Sequence, residues 1–331
     1  MAVKIINPIT VVQSGGGGGV TRPTTWAGFA AMTSTDMQKV YGVGDRTGLA
    51  CAYDTGDLLW EIGGWGTTKV ENDNTNYPCV TLLARLLPDS TLEFDAPETP
   101  TAATEETAQD GIYYFGYDGS NYTALNLSTG DTIPYGDYTA VYKTDATNNV
   151  LYFNDIRQNG WNDYFYSAYR QWLNSDAAAG VWWSPSHVGD VAPSQASSIA
   201  GFMNGLPADF KAILSQTEVK TAGNDANVPM ATIKTSYDYF FAPSNYEVYG
   251  ASSPVEGDRI PYFALGILGK NGLRARGPIG GTNASGVWLR SARQGNAANA
   301  YYVNGSGNVT NNGAANTYRA FVACKIILAG A

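Results

Sequence analysis

Apolar and polar positions alternate over short spans along most of the chain, and a helical period surfaces only three times. From Val43 onward, VGDRTGLACAYDTGDLLWEIGGW and YPCVTLLARLLPDSTLEF read as short strands and turns, with Asp54-Thr55-Gly56-Asp57 turning into residues 58–62 as a hairpin element. Two aromatic-rich strands flank Asp118-Gly119 in IYYFGYDGSNYTALNL, and an Asp-Gly pair is a strong hairpin signal. Residues 111–143 therefore read as a β insertion, introduced by a polar, acidic linker over 96–110. Helical spacing joins Phe165, Ala168, Tyr169, Trp172 and Leu173, with Asn162 or Asp163 as the capping residue. A second helix is predicted from Pro207, burying Phe210, Ile213 and Leu214. The spacing Ser244-Asn245-Tyr246-Glu247 is that of a capping box and announces a third, very short helix. Few helices among many short strands and long loops predict an α+β fold.

The C-terminal pattern is the most unusual. AFVACKIIL (320–328) is almost continuously apolar and predicts a buried strand, and Trp288-Leu289 marks another rigid segment. Between them, residues 295–318 hold seven asparagines and no charge, which is loop and short-strand material. If Val303 and Val309 face the core, alternation turns Tyr302, Asn304, Asn308 and Thr310 outward. Asn296, Asn299, Asn311, Asn312, Asn316 and Tyr318 then come from the flanking loops. Gly305, Gly307 and Gly313 are expected at positive φ. Arg290 and Arg319 border the strand ends, where a guanidinium can satisfy loop carbonyls. Such a polar surface on a rigid frame is either an ordinary asparagine-rich loop or a ligand-binding face whose residues tolerate change.

Composition narrows the function classes. The 331 residues can bury a sizeable core, and a net charge of −9 with no visible basic patch argues against nucleic acid. No run reaches the length of a membrane span. Charged residues make up only 15% of the chain, whereas 22 tyrosines and 8 tryptophans supply apolar bodies with polar handles. The three cysteines, Cys51, Cys79 and Cys324, form no CxxC pair and lie in apolar contexts, so buried free thiols are expected. The N-terminus shows no secretory signal, which points to folding in a cytoplasm. The run Gly15-Gly16-Gly17-Gly18-Gly19 reads as a flexible hinge, so 1–19 is read as an anchor docking onto a larger assembly and 20–331 as the body. No Gly-Lys-Ser/Thr follows the glycines, which sets a phosphate loop aside.

Catalytic sets are hard to assemble from this chain. His187 is the single histidine and sits in a loop-like SPSHVGD context, without ligands at zinc spacing. Glu71-Asn72-Asp73-Asn74 offers hard oxygen ligands but no EF-type spacing, so a metal is neither implied nor excluded. The expectation is a non-enzyme without a cofactor.

The stretch 295–318 resembles the variable region of target proteins diversified by retroelements, which carry a C-type-lectin fold of the formylglycine-generating-enzyme subtype. In that family, template adenines are randomised, so an AAC-type asparagine codon yields a wide but restricted set of residues. Lys, Glu, Gln, Met and Trp cannot arise from it, and all five are absent from 295–318. The segments NGWNDYFYSAYRQWLNSDAAAGVWW, GLPADFKAIL, DYFFAPSNYEVYG and VWLRSA are similar to those of bacterial and phage C-type-lectin-like proteins, over about 42–328 apart from the insertion. The resemblance implies a C-type-lectin-like body in a phage or prophage tail protein. That protein would bind a host cell-surface protein or glycan through the Asn/Tyr-rich face, contact other virion proteins through its N-terminus and assemble as a homo-oligomer such as a trimer. The copper-using formylglycine generators hold a cysteine pair near the C-terminal end; Cys324 stands alone, so that activity does not carry over. A purely structural virion component and a bacterial surface adhesin stand beside this reading.

Overall fold

A computed structural model describes residues 19–54, 56–97, 107–118, 120–134, 137–138, 140–144, 150–154, 160–186, 190–222, 233–250, 254–265, 269–279, 284–293 and 298–330. Residues 1–18, for which an anchor and most of a glycine hinge are expected, lie outside these residues, as do His187 and Asn296.

Two short helices, α1 (Trp26–Ala30) and α2 (Ser34–Val40), precede a small hairpin of β1 (Ala52–Tyr53) and β2 (Gly56–Asp57). The long strands β3 (Trp60–Val70) and β4 (Asp73–Ala84) follow, then β5 (Leu86–Leu87) and β6 (Leu92–Glu93). Next come β7 (Tyr113–Tyr117), β8 (Tyr122–Leu125), β9 (Ala140–Thr144) and β10 (Val150–Asn154). After α3 (Ala168–Leu173) and α4 (Ala208–Lys211) the chain forms β11 (Thr217–Ala222), β12 (Ile233–Asp238), α5 (Asn245–Tyr249), α6 (Gly269–Arg274) and β13 (Gly277–Pro278). It closes with β14 (Val287–Ala292), β15 (Asn299–Val303), β16 (Val309–Gly313), β17 (Thr317–Ala320) and β18 (Ala323–Ile327). The fold is α+β, with short helices and mostly sheet.

Two five-stranded sheets organise the body: β12-β11-β3-β4-β18 and β16-β15-β14-β17-β6. The β3–β4 hairpin turns through Glu71 and Asn72, with Asn72 at φ 62, a conformation asparagine tolerates. Glu71-Asn72-Asp73-Asn74 is thus a hairpin tip, and Asp73 accepts from the Tyr77 hydroxyl (2.6 Å) and the Thr75 N–H (2.8 Å). The apolar run 320–328 does not form one strand. Ala320 ends β17 in the second sheet, fully buried Phe321 and Val322 cross over, and β18 pairs with β4 in the first.

Aromatic side chains fill the core beside the sheets. Trp60 and Phe210 (5.2 Å between centroids), Phe202 and Phe240 (4.9 Å), and Phe94 and Trp288 (5.5 Å) interlock, all within one buried cluster. Such pairs contribute about 0.5–1.5 kcal/mol each beyond area burial. A separate four-stranded sheet, β10-β9-β7-β8, lies within 107–154 and surrounds a small cluster of Ala108, Tyr114, Ile133 and Val141. Its last strand lies beyond Lys143, so the unit runs further than the sequence pattern marks. The two ends of this excursion meet at Asp95, whose Oδ2 accepts the Trp161 N–H at 2.9 Å.

Helix boundaries differ from the periodicity. The cap of α3 is Ser167, accepting from the Arg170 N–H at 3.1 Å. Asn162 and Asp163 are committed elsewhere: Asp163 pairs with Lys234 at 2.5 Å, and the Asn162 amide donates to the Asn299 carbonyl at 2.8 Å. Phe165 is consequently half-buried, under the Arg170 guanidinium at 5.0 Å. Helix α4 stops at Lys211, so Phe210 is buried but Ile213 and Leu214 are only half so. Around α5 the capping box forms as read, with Ser244 and Glu247 exchanging bonds.

Candidate recognition face

The candidate face is built on β15 and β16, which pair from Asn299↔Gly313 to Val303↔Val309. Their turn is fixed by Asn304. Its Oδ1 accepts the backbone N–H groups of Ser306 and Asn308, both at 3.0 Å, and its carbonyl accepts from Gly307 at 2.8 Å. Gly307 sits at φ +78, and a Cβ there would lie 1.9 Å from the Asn271 carbonyl oxygen. Gly305 and Gly313 are not at positive φ, contrary to the turn pattern, although a Cβ on Gly305 would press on the Ala284 carbonyl at 2.9 Å.

Alternation holds in direction but not in exposure. Val303 is fully buried, whereas Val309 is half-buried, and the cross-strand pair Tyr302 and Thr310 is half-buried rather than exposed. The reason is a fold-back of rings. Tyr302 and Tyr318 stack at 4.2 Å and 12°, and both stand edge-on to buried Trp288 at 6.0 and 4.8 Å. Gly286 permits this, because a Cβ there would sit 2.4 Å from the Tyr318 ring. Burial, then the bond to Tyr318, pushes the Tyr302 hydroxyl up to about 12. The Asn312 amide donates to the Tyr318 hydroxyl at 2.8 Å and completes an uncharged aromatic platform.

The other asparagines bond chiefly to one another. Asn299 Nδ2 and the Arg293 guanidinium both donate to Asn311 Oδ1 at 3.0 Å. Asn271 donates to Asn308 Oδ1 at 2.7 Å, and Asn316 Nδ2 donates to the Gly313 carbonyl at 3.1 Å. Among the candidates the structure describes, Asn308 and Asn316 are exposed and the rest half-buried. Asn162, Asn271 and Arg293 are members of the face that the sequence does not reveal. They join it from outside 295–318, and no local pattern ties them to it.

The frame beneath is charged and buried. Arg290, 1% exposed, donates to the carbonyls of Lys220, Ala242 and Glu256 and to both Glu247 oxygens, at 2.5 and 2.8 Å. Burial works to lower its pKa, but Glu247 outweighs it and the guanidinium stays charged above its ordinary value. Arg319 instead pairs with Asp89 at 2.7 Å. The three cysteines are buried and free. Burial pushes the Cys79 thiol up to about 11, Cys51 to about 12 and Cys324 well above the ordinary range, which keeps all three protonated. Among the described residues, no three His, Cys, Asp or Glu side chains converge as metal ligands, and no helix is long and apolar enough to cross a membrane. Stacking, amide hydrogen bonding, shape and, at the edge, the exposed Arg293 guanidinium are what the face offers chemically.

By class, this is an α+β protein presenting an uncharged Asn/Tyr hairpin on a buried aromatic and arginine frame. Residues 138–326, more than half of the chain, match the family described as Domain of unknown function (DUF6273), and the chain belongs to that family. The matched segment takes in the hairpin and its frame but leaves β3 and β4 outside. No curated protein and no solved structure matches the chain.

Proposed function

We propose that this chain is a phage or prophage tail protein with a C-type-lectin-like body, and that it recognises a host-surface protein or glycan through the β15–β16 face. The observation carrying this reading is the uncharged platform of Tyr302, Tyr318, Thr310 and Asn312 on a fully buried Trp288. Tyrosine supplies large contact area at low entropic cost, and asparagine amides adapt to varied donors and acceptors. The residue set of 295–318, compatible with adenine-directed diversification, supports the same reading. The mutual bonding of Asn299 with Asn311 favours a second reading, a structural virion component whose hairpin packs against a neighbour.

The test replaces Asn308, Asn311, Asn312 and Asn316 together by serine. Stability is expected to fall by no more than about 0.5–1 kcal/mol per site, because these groups are exposed or half-buried. Binding to host surface should collapse, since central aromatic and polar groups dominate interface energy. Thermal melts and adsorption to host cells read the two effects. Unchanged adsorption by the folded variant would refute the assignment of the face. A nearby reverse-transcriptase gene, with a second copy of the 295–318 codons differing only at adenines, would separately mark diversification.

A further inference from the structure

Away from the hairpin, the first sheet is forked. Strand β11 pairs with β12 along all six of its residues but meets β3 only at Thr217↔Val70. Beyond that pair the two strands part, and a cleft of about 260 Å³ opens between them. Its β3 wall runs from Gly64 to Thr67 and carries two glycines. A Cβ on Gly66 would meet nothing within 4 Å, so the missing side chain is itself part of the open space.

The ammonium of Lys325 stands in the fork. It donates to the Glu218 carbonyl on β11 at 2.9 Å and lies 3.4 Å from the Thr68 hydroxyl on β3, with the Phe241 ring 5.7 Å away. No carboxylate among the described residues reaches it within ion-pair distance. The acids lining the cleft are engaged or solvated: Glu247 is held by both nitrogens of Arg290, Glu218 faces Lys220 at 3.8 Å, and Asp258 is exposed. Arg259 also lines the cleft and spends one nitrogen on the Tyr249 carbonyl at 2.6 Å. Burial holds the Lys325 pKa below the ordinary lysine range, and Glu247, Cys79 and Glu218 offset this only in part while Arg290 works with it. A half-buried cation with one good hydrogen bond and no counter-charge is costly unless something pairs with it.

We propose that the fork between β3 and β11 binds a small organic carboxylate, its anionic group on Lys325 Nζ and its apolar body against Phe241, Ile260 and Pro261. Lys325 shares the cleft with Arg259, whose buried Nε has no hydrogen-bond partner, so the cationic side of the lining calls for an anion. The apolar part of an otherwise polar lining, Phe241, Ile260 and Pro261, offers the body of an organic acid a surface that a bare inorganic ion would leave unused. None of the cleft lining comes from 295–318, so this site stands or falls independently of the recognition face.

The test uses the full chain with benzoate as probe, benzamide as its uncharged counterpart and sulfate as competitor, read by calorimetry and ligand-detected NMR. Benzoate is expected to bind saturably and at least tenfold more tightly than benzamide, with sulfate a weak competitor. Lys325→Met should weaken benzoate at least tenfold. Gly66→Leu should do the same by filling the cleft, and its melt should stay close to the parent because the new side chain enters open space on an exposed strand position. If Lys325→Met does not fold, Gly66→Leu decides alone. Non-saturating benzoate, equal binding of benzamide, equal competition by sulfate, or benzoate binding untouched by Gly66→Leu each overturns the proposal.

Discussion

Glu256 is 2% exposed, with Oε1 accepting the Ala222 N–H at 2.9 Å and Oε2 held against the Ser291 hydroxyl. Burial pushes its carboxyl up to about 7, against the lowering influence of Arg290. In the unfolded chain a glutamate titrates at about 4.3. Between those values the folded state binds the extra proton, so folding stability is highest at the acidic end and declines as pH rises from about 4.5 towards 7. Glu256→Gln is expected to flatten that decline, with chemical denaturation across pH 4.5–8 as the measurement. An unchanged slope in the variant would assign the pH dependence to other groups. Arg290, which donates to the Glu256 carbonyl, keeps its charge through Glu247, so neutralising the Glu256 side chain leaves the frame's main ion pair in place.

At the scale of the element, the β15–β16 hairpin owes its shape to a residue that looks in sequence like one more variable position. Asn304 accepts two turn N–H groups, whereas Asn316 sits exposed with a single bond to the Gly313 carbonyl. Asn304→Ala is therefore expected to cost about 1–2 kcal/mol, a net hydrogen bond contributing about 1 kcal/mol, and Asn316→Ala under about 0.5 kcal/mol. Gly307→Ala should cost more than about 1 kcal/mol because both its φ and its close approach to Asn271 resist a side chain. Amide exchange across 299–313 separates the three, with faster exchange expected for the Asn304 and Gly307 variants only. Local chemistry was legible in the sequence. The capping box at Ser244, the hairpin that turns after Asp118 and the burial of Trp288 and Phe321 all follow from residues within a few positions of one another. The start of α3 was not legible, because Lys234 and Asn299 claim Asp163 and Asn162 from far along the chain. Nor was the retreat of Tyr302 from solvent, which depends on a missing Cβ at Gly286, just before β14.

For the whole molecule, the excursion over 107–154 keeps its own apolar cluster, and its two ends are joined at the Asp95–Trp161 bond. Replacing 97–158 by a short Gly-Ser linker should leave a cooperative melt and native tryptophan fluorescence, since among the described residues the main cluster draws no member from that unit. Loss of cooperativity would show that the four-stranded sheet supports the body. The first sheet behaves oppositely. Its hairpin β3–β4 comes early in the chain, and β18, far downstream, is zipped onto β4 from Ala323↔Leu83 to Ile327↔Cys79. Long-range pairings of this kind form slowly, because the chain between the strands has to close before their pairing stabilises it. During synthesis, then, β4 waits with an open edge until Ala323–Ile327 have left the ribosome. Neighbouring ribosomes on one message would hold several such edges side by side, and an unpaired edge is a template for the wrong strand as readily as for the right one. Yield of the folded protein is therefore expected to rise with chaperone supply and with wider ribosome spacing, at unchanged stability of the finished sheet.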